Sequence, residues 1–135
     1  MTTILFACVH NAGRTQMAAA LLNKLADPRA ARAISAGTEP GQRVHPEVVS
    51  AMREIGIDLE GIQPQPLTPE LARQAQVLVT MGCGDKCPFV PGALIEDWPL
   101  EDPKGQPALV VRAIRDEIER RVRDLMDRDN LSRRR

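Results

Sequence analysis

The chain has 135 residues, 43% of them apolar, which suffices for one core and predicts a single domain over residues 1–135. Lys+Arg and Asp+Glu balance at 18 each, so general charge attraction predicts no nucleic acid and no anionic membrane as partner. No apolar run approaches membrane-spanning length and no signal-peptide pattern opens the chain, so a cytoplasmic location is expected.

Thr3 to Ala7 reads as a buried strand and Thr15 to Ala26 as a helix ended by Asp27-Pro28, which makes residues 8–15 a strand-to-helix turn. A short strand over Ala33 to Ala36 follows, then a loop from Gly37 to Arg43, then a helix from Pro46 to Ile55 closed by Gly56. Gln63-Pro64-Gln65-Pro66 forbids regular structure. Thr68-Pro69-Glu70 opens a short helix with a capping hydroxyl and a first-turn proline, and Val77 to Met81 is a further buried strand. After a glycine-rich stretch, Gly82 to Pro88, Ala93 to Ile95 reads as a short strand and Asp97 to Pro107 as a loop. Val110, Ile114, Ile118, Val122 and Leu125 then draw one apolar stripe on a last helix. Strands alternating with helices predict an α/β fold: a four-stranded parallel sheet flanked by helices on both faces, with ligands at the carboxyl ends of its strands.

The cysteines are three, Cys8, Cys83 and Cys87, an odd number that does not read as a disulfide framework and points instead to reactive or metal-binding thiols. Cys8 begins Cys8-Val9-His10-Asn11-Ala12-Gly13-Arg14-Thr15. A turn of this kind aims several backbone N–H groups at one point, and the helix start adds partial positive charge, so Val9 to Thr15 form a cradle for an oxyanion. Arg14 offers that anion a planar fork that a lysine does not match. The same dipole and the same arginine favour a thiolate, so Cys8 is expected to be nucleophilic at neutral pH, with Thr15 donating to the sulfur and Asn11 bracing the loop. His10 reads as loop-shaping or solvent-facing. The plain alternative makes Cys8 a small buried hydrophobe and Arg14 a surface residue, but it leaves the Cys-x5-Arg-Thr spacing at this turn unexplained. A nucleotide P-loop is excluded because G-x4-G-K-[ST] is absent.

Cys8 to Thr15 resembles the Cys-x5-Arg-[Ser/Thr] loop of the low-molecular-weight protein tyrosine phosphatase fold, and Asp102-Pro103 resembles its general-acid loop. That family includes arsenate reductases, and Gln16-Met17-Ala18, Ser35-Ala36-Gly37-Thr38 and the pair Cys83-Cys87 are similar to theirs. The resemblance spans nearly the whole chain and implies no cofactor, since two thiols supply the two electrons that turn arsenate into arsenite. It implies Cys8 as nucleophile, Arg14 and the loop amides as oxyanion holders, Asp102 as proton donor, and Cys83 and Cys87 as the thiols of a disulfide relay. Phosphate and sulfate are the expected competing oxyanions. Thioredoxin is the expected reductant, and a small thiol such as mycothiol is the alternative, because the loop wording also resembles that branch.

Three other readings bear on these residues. Cys83-x3-Cys87 supplies half a zinc site, with neither His10 nor His45 at the usual paired spacing, so no metal is expected. An acid that helps bind potassium in the thioredoxin-coupled type is Ala19 here, and a second falls within Pro64-Gln65-Pro66, so no strong potassium site is expected. Asp102-Pro103 is followed by Lys104-Gly105 instead of the aromatic residues with which phosphatases grip phosphotyrosine, which disfavours a protein phosphatase while leaving weak action on small aryl phosphates. A redox-sensing or anion-binding module without turnover is the non-enzymatic alternative, and Asp102 could then be an ordinary solvated acid.

Overall fold

The computed structural model describes residues 1–82 and 92–129. In chain order the elements are β1 (Thr2–Cys8), α1 (Arg14–Leu25), β2 (Ala31–Gly37), α2 (Pro46–Arg53), α3 (Pro69–Ala72), β3 (Val77–Thr80), β4 (Leu94–Asp97) and α4 (Ala108–Asp129). The four strands form one parallel sheet in the order β2-β1-β3-β4. The predicted architecture is the observed one.

β1 lies between two neighbours, and from Thr3 to Cys8 every side chain is buried, as an unbroken apolar run predicts for an inner parallel strand. Alternate residues serve two different packings. Ile4, Phe6 and Cys8 face the larger core, built from Met17 and Leu22 of α1, Val48 and Met52 of α2, and Ile118 and Val122 of α4. Leu5 and Ala7 face a smaller one with Leu78 and Ala72 of α3. Phe6 meets Trp98 at a ring-centroid distance of 5.5 Å, which seats the chain just past β4 on the main core.

Several boundaries differ from the sequence reading for identifiable reasons. β2 starts at Ala31 instead of Ala33 because it pairs along the full length of β1, from Thr2↔Ala31 to Cys8↔Gly37. α1 starts at Arg14, one residue early, because the Met17 N–H reaches the Gly13 carbonyl, and Ala26 is already extended. α2 ends at Arg53, and Gly56, at φ +82, lets the chain turn out of the last helical hydrogen bonds. Pro66, placed in a stretch read as irregular, makes a single bridge to Gly37.

α2 is fastened to α4 by charge. Arg115, only 8% exposed, donates to the Ala51 carbonyl and to Glu54 Oε1, both at 2.8 Å, and Arg112 adds a second fork on Glu54. Hydrogen bonds from Arg112 and then Arg115 hold the Glu54 carboxyl down from 4.5 to about 2. A carboxyl depressed on folding gives its full stabilisation above its unfolded value and loses it as pH falls toward the folded one. The urea midpoint is therefore expected to drop between pH 4.5 and 2, and Glu54→Gln to flatten that drop. An equal slope in the variant would assign the acid sensitivity to other carboxylates.

Candidate active site

The site lies at the carboxyl end of β1, where strand gives way to helix. The loop from Val9 to Gly13 is short, and the following segment stitches it in place. Thr38 N–H donates to the Cys8 carbonyl, Glu39 N–H to Val9, Gly41 N–H to His10 and His45 N–H to Ala12, at 2.8–3.0 Å. His10 adds a ring contact from Nδ1 to the Glu39 carbonyl at 3.0 Å, so it shapes the loop from its exposed side. These loop carbonyls are thus engaged by the segment 38–45. The N–H groups of His10, Ala12, Gly13, Arg14 and Thr15 have no backbone acceptor among the described residues. Such a ring of donors, at the positive end of α1, suits an anion.

Cys8 is 4% exposed and its sulfur is the focus of two polar contacts. Asn11 N–H points at Cys8 Sγ from 3.0 Å, and the Thr15 hydroxyl lies 3.1 Å from the same atom. Asn11 is what fixes this arrangement. Its backbone is left-handed, φ 53, a conformation asparagine tolerates better than most residues. Its Oδ1 accepts from Gln16 Nε2 and from the Gln65 N–H, both at 3.1 Å, which orients the amide so that Nδ2 donates to Thr15 Oγ1 at 2.9 Å. One lone pair of Thr15 Oγ1 is thereby engaged, and its hydroxyl and the Cys8 thiol share the remaining hydrogen bond in either direction.

Arg14 is the first residue of α1, and its Nη1 donates to the Leu100 carbonyl at 2.7 Å. The guanidinium also borders Gly82, where a Cβ would stand 3.2 Å from both terminal nitrogens. It therefore bridges the Cys8 loop and the segment leading to Asp102, and among the described residues only its Nη1 has an acceptor. Asp102 is exposed in a tight turn, its Oδ1 accepting the Lys104 N–H at 3.0 Å. The neighbouring Pro103 is buried against the loop: a Cβ on Gly13 would lie 3.0 Å from its Cγ. Two parts of the chain 86 residues apart, Arg14 and Leu100, are thus brought together with Cys8 and the Asp102 turn.

Cys83 and Cys87, the two thiols assigned to the relay, lie outside the described residues. Ala19 is buried beside the loop. Gln65 places N–H donors, not carboxylate oxygens, next to Asn11 and Ser35: its Nε2 donates to the Ser35 carbonyl at 2.8 Å. Among the described residues no group of three or more His, Cys, Asp or Glu side chains gathers as a metal site, and no helix is long and apolar enough to cross a membrane.

Sequence reasoning gave no role to Gln16, Gln65, Gly37 or Glu47. Gln16 carried a readable signal, a polar residue on the buried side of an apolar helix. Gln65 was hidden among prolines, and Gly37 matters because the backbone of Val9 and Asn11 passes within 3.0 Å of where its Cβ would be.

Comparison with known proteins agrees with this geometry. A putative arsenate reductase of Halobacterium salinarum is 38% identical over 129 residues, 93% of this chain and 91% of the relative. A glutaredoxin arsenate reductase of Synechocystis is 36% identical over 129 residues, 93% of this chain and 97% of the relative. Among solved structures, a thioredoxin-dependent arsenate reductase of Corynebacterium glutamicum superposes with a TM-score of 0.79 at 38% identity; the match covers 94% of this chain and 61% of that one. The family model for low molecular weight phosphotyrosine protein phosphatases matches residues 3–135, and the chain belongs to that family.

Proposed function

We propose that this protein reduces arsenate to arsenite, with Cys8 as the attacking thiol. The observation that carries the reading is the Cys8 sulfur within 3.0 Å of Asn11 N and 3.1 Å of the Thr15 hydroxyl, in a loop whose N–H groups at His10, Ala12 and Gly13 lack a backbone acceptor among the described residues and which runs straight into Arg14. The names of the relatives and the presence of Cys83 and Cys87 favour arsenate over a phosphate ester as the physiological substrate.

In the proposed cycle the loop amides and Arg14 hold the arsenate oxygens, and the Cys8 thiolate attacks arsenic. Asp102 gives its proton to the departing oxygen, which leaves as water, and a Cys8 S–As bond has formed. The Cys83 thiolate then attacks Cys8 Sγ. The S–As bond breaks with its electron pair going to arsenic, so arsenate becomes arsenite while two thiols become a Cys8–Cys83 disulfide. Cys87 attacks Cys83, returning Cys8 as a thiolate and leaving a Cys83–Cys87 disulfide for an external dithiol to reduce. Thioredoxin fits that last step as a dithiol reductant. A small thiol attacking the Cys8 adduct directly replaces the relay in the alternative route.

The deciding assay is arsenite production, side by side, with thioredoxin, its reductase and NADPH, and with small thiols. Arsenate-dependent NADPH consumption with thioredoxin is expected. No arsenite with any donor, together with full hydrolysis of phosphotyrosine peptides, would make the protein a phosphatase instead.

A further inference from the structure

One carboxylate near the site has no part in the cycle above. Glu47 stands in the first turn of α2, and its Oε2 accepts the Gly105 N–H at 2.5 Å. Gly105, at φ +72, closes the turn that presents Asp102: Lys104 N–H donates to Asp102 Oδ1 at 3.0 Å, and Gln106 N–H to the Pro103 carbonyl at 3.1 Å. The other end of this segment is held at Leu100 by Arg14, at 2.7 Å. Between the two ends Pro103 sits against Gly13.

We propose that Glu47 is a positioning residue for Asp102, its carboxylate fixing the turn over the Cys8 loop so that the acid meets the departing oxygen. The role rests on the reading of Asp102 as proton donor given above. The two anchors differ in what substrate does to them. Arg14 is also the residue that receives the oxyanion, so an arriving anion competes with Leu100 for its donors. Glu47 instead holds the turn through Gly105, and α2 behind it is fastened to α4 through Glu54, so this anchor persists during the chemistry. Burial pushes the Glu47 carboxyl up, but the Gly105 N–H, its own backbone N–H and the charge of His45 together hold it below its ordinary value, against the repulsion of Asp102. The anchor is therefore ionised, and strongest, at neutral pH.

Glu47→Ala removes the acceptor, whereas Glu47→Gln keeps an amide oxygen in its place. Hydrogen exchange of the Gly105 amide, followed by NMR without substrate, is expected to speed up about tenfold or more in Glu47→Ala and to stay close to the parent in Glu47→Gln. An unchanged Gly105 amide in Glu47→Ala overturns the proposal. The second readout is Cys8-dependent hydrolysis of phenyl phosphate, whose leaving group needs a proton, against p-nitrophenyl phosphate, whose leaving group needs it far less. Glu47→Ala should lose about tenfold on the first and under about threefold on the second, and adding it to Asp102→Asn should cost nothing more. Equal losses on the two esters, or additive losses in the double variant, overturn the proposal, because a merely structural role predicts both. Should Asp102→Asn show no leaving-group dependence, or the parent no Cys8-dependent turnover, the reading of the site fails and Glu47's role with it. Gly105 exchange still reports separately on the anchor.

Discussion

Cys8→Ser is expected to abolish arsenate reduction and any aryl phosphatase activity together, a loss of at least about a thousandfold, because in the proposed cycle both reactions begin at this sulfur and a serine hydroxyl is a far weaker nucleophile. The other two cysteines should separate the activities. Cys83→Ser is expected to spare ester hydrolysis and stop repeated reduction, since no thiol is left to attack the Cys8 adduct. Cys87→Ala should permit one turnover and trap the Cys8–Cys83 disulfide, visible by mass spectrometry of a non-reduced digest. Full reduction by both variants, with a small thiol as the sole donor, would remove the relay and leave the direct route. Residual reduction by Cys8→Ser at more than a few percent would remove Cys8 as nucleophile.

Gly37→Ala should also be damaging, though less than loss of the thiol, even though residue 37 touches no substrate. A Cβ there would lie 2.4 Å from the Val9 carbonyl oxygen and 3.0 Å from Asn11 N, and both neighbours are backbone, so the loop must move. Overpacking of this sort costs about 1–3 kcal/mol. The larger effect is chemical, because the Asn11 N–H that points at Cys8 belongs to the displaced loop. Misplacement by ~1 Å is enough for about a hundredfold loss in kcat. The expected result is a protein that folds, with a lower melting temperature, and turns over about a hundredfold more slowly. Parental kcat in Gly37→Ala would show that the Cys8 loop tolerates the shift.

How far the sequence reaches depends on where each signal is written. Cys8, Arg14 and Thr15 are legible because spacing, strand and helix start all constrain the same eight residues, and the structure places all three at one turn. The inner strands are legible for a similar reason, as a strand whose two faces are both covered by helices must be apolar on both sides. β2 was read two residues short at its start because the register with β1, not local preference, sets its length. Leu100 could not be found in advance, since what meets Arg14 is a backbone carbonyl, which every residue has. Glu47 looks like an ordinary first-turn acid complementing a helix dipole, and its contact with Gly105 is formed across 58 residues of chain. The pair Cys83 and Cys87 was read from resemblance.

Because β1 is hydrogen-bonded on both sides and buried on both faces, Cys8, the proposed nucleophile, hangs from the part of the molecule expected to open last. Local fluctuations that loosen the surface turns leave the sulfur where it is, and only global unfolding moves it. Core damage should then act on the number of active molecules and not on the quality of each. A truncation such as Ile118→Ala, which costs about 2–5 kcal/mol, is expected to shrink the folded fraction while each remaining folded molecule keeps its rate. The folded fraction read from the near- and far-UV circular dichroism, set against total protein, would report that loss, and activity should track it in proportion.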